Sequence, residues 1–175
     1  MRVRMAGFGG QGQVTAGILL GHSVVLEGRH VLQTQSYGSA TRGGLTTCDV
    51  CTGDGEILEV HPEKFDVLVA FSQEACDAFV PLLEDDGVLV YEEDMVTPPA
   101  NLRQRAAASP TTRLAKEELG KVICANVVML GFMVGAVPEI VSAEKVETAI
   151  EQQLAPKIVP LNLDAFRLGR GKALG

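Results

Sequence analysis

The chain alternates short, densely apolar runs with longer stretches in which apolar residues recur every three or four positions. Residues 3–8 read as a strand that ends in Gly7-Phe8-Gly9-Gly10-Gln11-Gly12. Residues 13–27 carry Val14, Ile18, Val25 and Leu26 among small residues and read as a helix, with Gly28 as its stop. Gly17 and Gly21, four apart, share one face of that helix. Each costs about 1 kcal/mol relative to alanine, and the pair would let the helix lie close on a sheet.

Residues 30–35 form a second short strand, followed by a Gly-, Ser- and Thr-rich loop over 36–44. Residues 45–51 and 56–60 read as two strands joined through Gly53-Asp54-Gly55, a hairpin signal. Residues 66–71 (DVLVAF) and 87–91 (GVLVY) are continuous apolar runs, the pattern of strands buried on both faces. Between them residues 73–83 fit a crossover helix with Ser72 as N-cap. Residues 94–112, with three prolines, read as a loop holding one short helix over 101–107. Helices follow over 114–119, 125–134, 143–154 and 163–169, with Ser142 placed to cap the third of them. The pattern predicts an α/β fold: a three-layer α/β/α domain with a Rossmann-like glycine loop and a helical C-terminal third, the 175 residues forming one domain.

Charge narrows the function. The net charge is -7, which disfavours a nucleic-acid partner held through its phosphates. There is no Trp and aromatics are 5%, which disfavours stacking on single strands. No run reaches the ~18 apolar residues of a membrane span. The chain enters its first strand without a signal-peptide pattern. Its four Cys are therefore expected to be reduced thiols in a cytoplasmic protein.

Gly7, Gly9 and Gly12 satisfy G-x-G-x-x-G between a predicted strand and a predicted helix, the context that pattern requires. Glycines permit a tight turn and close backbone approach, and the N–H groups that open the helix then face an anion. A phosphate or pyrophosphate is the natural guest. Nicotinamide or flavin nucleotides fit less well. Their fingerprint places an acid at the end of the second strand, where this chain has Gln33-Thr34-Gln35. A second loop, Gln35 to Gly44, contains Ser36, Tyr37, Ser39, Thr41 and an arginine flanked by glycines, Arg42-Gly43-Gly44. Arg42 could clamp a phosphate or carboxylate. The two loops share a sheet edge if their strands run parallel.

Read together, Gly7-Phe8-Gly9-Gly10-Gln11-Gly12 and Ser36-Tyr37-Gly38 through Arg42-Gly43-Gly44 resemble the gamma subunit of 2-oxoacid:ferredoxin oxidoreductases. The likeness extends along the chain through the strand at 66–70, Asn126-Val127-Val128-Met129-Leu130-Gly131 and residues 162–169. It implies a subunit of a cytoplasmic hetero-oligomer that oxidatively decarboxylates a 2-oxoacid, such as pyruvate or 2-oxoglutarate, to an acyl-coenzyme A and reduces ferredoxin. Thiamine diphosphate and iron–sulfur clusters are then expected on partner subunits. This chain would contribute to the coenzyme A site and the subunit interface, and would be inactive alone. The resemblance assigns Gly7, Gly9, Gly10, Gln11, Gly12, Ser36, Tyr37, Arg42, Gly43 and Gly44 to that site. Many relatives have Pro-Glu where this chain has Ser39-Ala40. The competing readings are a stand-alone NAD- or flavin-linked oxidoreductase and a structural module that binds nothing.

Other candidates carry less. Cys48-Asp49-Val50-Cys51 has redox or metal-site spacing, but on a strand Cys48 and Cys51 face opposite ways and no second pair accompanies them. Gly53-Asp54-Gly55 resembles the opening of a thiamine-diphosphate motif, yet the next Asn is Asn101, too far on. His22, His30 and His61 lack metal-ligand spacing. The acidic clusters Glu84-Asp85-Asp86 and Glu92-Glu93-Asp94 read as solvated strand ends. No catalytic residue and no metal ligand is expected on this chain.

Overall fold

The computed structural model describes residues 1–38 and 44–174. Six strands form one mixed sheet in the order β2-β3-β1-β4-β5-β6. They are β1 (Arg2–Phe8), β2 (His30–Tyr37), β3 (Leu45–Gly53), β4 (Phe65–Ala70), β5 (Leu83–Glu92) and β6 (Arg105–Ser109). The ladders β1–β4, β4–β5 and β5–β6 are parallel. β3 runs antiparallel to both β1 and β2, so β1 and β2 point the same way. The loops after both strands therefore emerge at one edge, which meets the condition set by the sequence.

Side chains of β1, β4 and β5 alternate between two cores. Val3, Met5, Val67, Val69, Val88 and Val90 enter the larger one. It lies under α1 (Gln13–Leu26), α3 (Thr111–Glu117), α4 (Ala125–Ala136), α5 (Ala143–Gln153) and α6 (Val159–Leu174). Ala6, Leu68, Ala70 and Leu89 enter a smaller one, covered by α2 (Gln73–Phe79). The three layers are thus unequal. On the thin side Arg4 donates to both oxygens of Asp49 at 2.7 Å and lies over the rings of Phe65 and Phe79. A paired and stacked guanidinium covers sheet surface that a second helix would otherwise bury.

Local chemistry explains the helix limits. Gly28 sits at φ 78° just past α1, the left-handed stop expected there. Ser72 Oγ accepts from Ala75 N and caps α2. Ser142 precedes α5 without a side-chain cap bond. Gly17 meets the sheet so closely that a Cβ there would overlap Cys48 Sγ, whereas Gly21 has ordinary clearance. α4 and α6 cross backbone to backbone: a Cβ on Gly131 would overlap Phe166 O, and one on Gly169 would overlap Val128 O.

Two expectations are corrected. The hairpin joins β2 to β3, and residues 56–60 are not a strand. Both edges of β3 are already taken, by β1 and β2, so no further strand can pair with it. Residues 101–107 are not a helix; Arg105–Ser109 is strand β6. Its alanines favour helix, but so short a segment cannot hold one alone, and pairing along the free edge of β5 decides.

Candidate ligand-binding site

The glycine loop connects β1 to α1 at the point where the chain's connections diverge across the sheet, α1 leading toward β2 and β4 continuing to β5. Gly10 at φ 95° and Gly12 at φ 81° both adopt the left-handed conformation that favours glycine. A Cβ on Gly12 would come within 2.6 Å of Asn126 Nδ2, which donates to Gly12 O at 3.1 Å. Gly7 leaves room for Gln11: a Cβ there would overlap the Gln11 side chain. Gln11 Oε1 accepts from Phe8 N at 2.6 Å, and its Nε2 donates to Phe71 O at 3.0 Å. The crevice between β1 and β4 is thereby spanned by the chain's own amide.

Beside this loop lies a cavity of about 760 Å³, within the range of small-molecule sites. One wall is the loop and first turn of α1, residues 9–15. α1 begins at Gly12 with no side-chain cap and no acidic residue in its first turn. Its opening N–H groups and the positive end of its dipole are thus available to an anion. Much of the remaining lining is apolar, from Val122, Ile123, Ala125, Val127, Leu154, Ile158 and Leu161. Ile123 is 84% exposed and Val122 50%, so the cavity has a greasy lip. Among the described lining residues there is no His, Lys or Arg.

Two of the lining residues are buried and polar. Gln13 is buried; its Nε2 donates to Phe8 O at 3.0 Å and Thr46 O at 3.4 Å, and its Oε1 has no partner among the described residues. Glu92, the last residue of β5, is 1% exposed. Its Oε2 accepts from Thr111 Oγ1 at 2.5 Å, Thr112 N at 2.9 Å and Thr112 Oγ1 at 2.9 Å, while Oε1 has no partner among the described residues. The reading of Glu92-Glu93-Asp94 as a solvated strand end is corrected for Glu92. Thr111 and Thr112, at the start of α3, hold its carboxylate inside. Cys124 also lines the cavity, but burial pushes its thiol up, against a smaller opposing effect of Lys121, so it remains a thiol. The arrangement offers an uncapped helix start that suits an anion and a lip that suits hydrocarbon.

Of the residues assigned from the sequence, Gly9, Gly10, Gln11, Gly12 and Tyr37 line the cavity. Gly7 lies beneath Gln11. Ser36 is exposed, and strand alternation turns it to the face opposite Tyr37. Gly44 packs on Gly38, whose N–H donates to Leu45 O at 2.9 Å, closing the stem of the loop. Arg42 and Gly43, with residues 39–41, lie outside the described residues. Gln13 and Thr112 were not singled out by the sequence, Glu92 was read only as part of a solvated acidic strand end, and Asn126 only as part of the family likeness. Only the position of Gln13, directly after the glycine loop, could have signalled it.

Cys48 and Cys51 lie on opposite faces of β3, and all four thiols are free and buried. Among the described residues no three His, Cys, Asp or Glu side chains are placed to hold a metal ion. No helix there is long and apolar enough to cross a membrane.

Residues 2–171 match the family model for pyruvate ferredoxin/flavodoxin oxidoreductase. The chain is 39% identical to the 2-oxoglutarate synthase subunit KorC of Methanothermobacter thermautotrophicus, over 96% of this chain and 92% of that one. It is 32% identical to the ketoisovalerate oxidoreductase subunit VorA of Methanothermobacter marburgensis, over 97% of this chain and 36% of the relative. The crystal structure of the keto/oxoacid ferredoxin oxidoreductase gamma subunit from Geobacter sulfurreducens superposes with a TM-score of 0.87 at 35% identity, covering 99% of this chain and 98% of that one.

Proposed function

The chain belongs to the pyruvate ferredoxin/flavodoxin oxidoreductase family as a gamma-type subunit of a 2-oxoacid:ferredoxin oxidoreductase, and from that premise we propose that its cavity holds part of coenzyme A. The observation that carries this reading is the pairing of an uncapped α1 N-terminus with a mostly apolar cavity at the same strand edge. Coenzyme A supplies the thiol that takes up the acyl group. The chain's own part is to bind and orient. The α1 N–H groups receive phosphate, Gly10 keeps a Cβ out of its way, and the apolar lining carries the arm.

Residues 1–175 act as one gamma-type unit in the cytoplasm. Thiamine diphosphate and iron–sulfur clusters belong to partner subunits. The donor set here does not suit a cluster, since Cys48 and Cys51 face apart and Cys76 and Cys124 are buried elsewhere. A dinucleotide across the β1–β4 crevice is disfavoured because Gln11 spans it, and β2 ends in Gln35, Ser36 and Tyr37 without the ribose-binding acid. The relatives' names differ in substrate, so the reading extends to the 2-oxoacid class.

The test is Thr15→Glu in the assembled oxidoreductase. Thr15 is exposed in the first turn of α1, where a carboxylate stabilises the helix by about 0.3–1 kcal/mol. The same charge repels phosphate. The expected result is a KM for coenzyme A raised about tenfold, with the KM for the 2-oxoacid unchanged and the fold no less stable. An unchanged KM for coenzyme A refutes the reading.

A further inference from the structure

The sheet ends in two very different edges. β6, at one end, has 5 residues and opens with Arg105. β2, at the other, has 8 residues, HVLQTQSY, with no Asp, Glu, Lys, Arg or Pro. Among the described residues it pairs only with β3, in unbroken register. Natural sheets blunt a free edge by shortness, charge, proline or a bulge, and β2 uses none of these.

α1 continues the same surface. Its 14 residues include no Asp, Glu, Lys or Arg, in a chain that is 21% charged. Gly17 faces Cys48 and Val50 of β3, and Gly21 faces Val31 and Gln33 of β2. At about 100° per residue, Val14, Val25 and Ile18 follow Gly21 round the helix, away from β3 and out over the edge. Ile18 is 40% exposed and Val25 51%. An uncharged strand edge beneath an apolar helix stripe has the composition of an interface core. The edge also matches itself. Gly38 N–H donates to Leu45 O, so this pair is a hydrogen-bonded one. Alternation along the β2–β3 register then turns the N–H and C=O groups of Val31, Gln33, Gln35 and Tyr37 outward.

We propose that β2 pairs antiparallel with β2 of a second copy of this chain, with the two-fold axis at Thr34. In that register Gln33 meets Gln35, Val31 meets Tyr37, and the two Thr34 residues meet each other. Every outward N–H and C=O of β2 finds a partner. Threonine–threonine and aromatic–β-branched pairs are favourable across strands. The axis keeps both α1 helices on one face of the joined sheet. α1 straddles β2 and β3, so with strands about 4.8 Å apart the two helix axes come about 10 Å apart, the distance at which helices pack. The seam is about 24 Å long and about 20 Å high through sheet and helix, or about 1,000 Å² over both copies, which meets the floor for a specific interface. Tyr37 and Val14 also line the cavity, so the second copy steadies its rim. The pairing stands whatever the cavity holds.

The test uses the full chain in solution. Sedimentation equilibrium from about 1 to 100 µM should show wild type dimerising. Thr34→Lys sets like charges face to face on the axis and should raise the dimer Kd at least about tenfold, while Ala108→Lys on the β6 edge should leave it unchanged. Equal behaviour of the two variants overturns the proposal. A monomeric wild type overturns it too, and protection of the β2 amides from hydrogen exchange only in the assembled oxidoreductase would then give the edge to another subunit. A second measurement reads the register. A pair without mutual hydrogen bonds holds its Cα atoms about 4.5 Å apart, within disulfide reach. The four native thiols are buried, so diamide should crosslink Thr34→Cys into a dimer and leave Leu32→Cys and Ser36→Cys uncrosslinked. No crosslink in Thr34→Cys, or equal crosslinking of all three, overturns the proposal.

Discussion

Replacing Gly169 by alanine sets two effects of opposite sign against each other. Gly169 is in α6, and alanine there gains about 1 kcal/mol of helix propensity. The new methyl, however, would overlap Val128 O and sit 2.9 Å from Phe132 N of α4. Relief requires the helices to part by roughly an ångström, a gap that forfeits a quarter to a half of the dispersion at each contact. Val128 and Phe166 are both 0% exposed, so no compensating rotamer is open to them. With about 50 contacts per buried side chain at about 0.15 kcal/mol, half of them across the interface, each of these two residues loses about 1–2 kcal/mol. The sum, about 3 kcal/mol, agrees with the usual cost of overpacking and exceeds the propensity gain. The net loss is about 2 kcal/mol, a fall in Tm of roughly 4–8 °C for a chain of this size. Gly171, in the same helix, has nothing within 4 Å of its would-be Cβ and is exposed. Gly171→Ala should therefore raise Tm slightly. Paired urea and thermal unfolding of the two variants decides the matter: a Gly169→Ala chain as stable as Gly171→Ala would refute the close crossing.

Two further outcomes follow from the charges and thiols. Asp66 lies below its ordinary 3.8: burial alone would raise it, but hydrogen bonds from the Arg2 guanidinium and backbone N–H outweigh that. A depressed folded-state pKa contributes stability that is present above the unfolded value and lost as pH falls through the folded one. Wild-type urea midpoints should therefore drop below about pH 4, more steeply than those of Asp66→Asn; parallel curves would contradict the assignment. Burial pushes the Cys48 thiol up to about 12, helped by the Asp49 charge, and burial with Asp77 takes Cys76 to about 11. The native chain should resist alkylation at about pH 8 and release all four thiols on unfolding, whereas one fast native thiol would show an exposed site.

The central strands were legible because β4 and β5 are buried on both faces and leave uninterrupted apolar runs in the sequence. The glycine loop was legible for the same reason that makes it ambiguous. Its glycines admit close neighbours, and the pattern does not say whether those are ligand or protein. Here Gly7 admits Gln11 and Gly12 admits Asn126, while Gly10 faces open space. β6 stayed hidden because its alanines carry a helical preference that the free edge of β5 overrides. Glu92 stayed hidden for a different reason. Nothing near it in sequence marks it as buried; the threonines that hold it lie some twenty residues further on.

The reversed course of β3 has a bearing on how such a scaffold can diversify. Because the chain turns back along the sheet, the connection between Gly38 and Gly44 leaves and re-enters at one point, beside Tyr37 and the glycine loop. The Gly38–Gly44 contact and the bond from Gly38 N–H to Leu45 O hold β2 and β3 in register at this edge, whatever the length of chain between them. In general, lengthening a connection costs little, about 0.6 kcal/mol for each doubling. Selection can thus vary that connection while the two cores, on either side of the sheet, stay as they are.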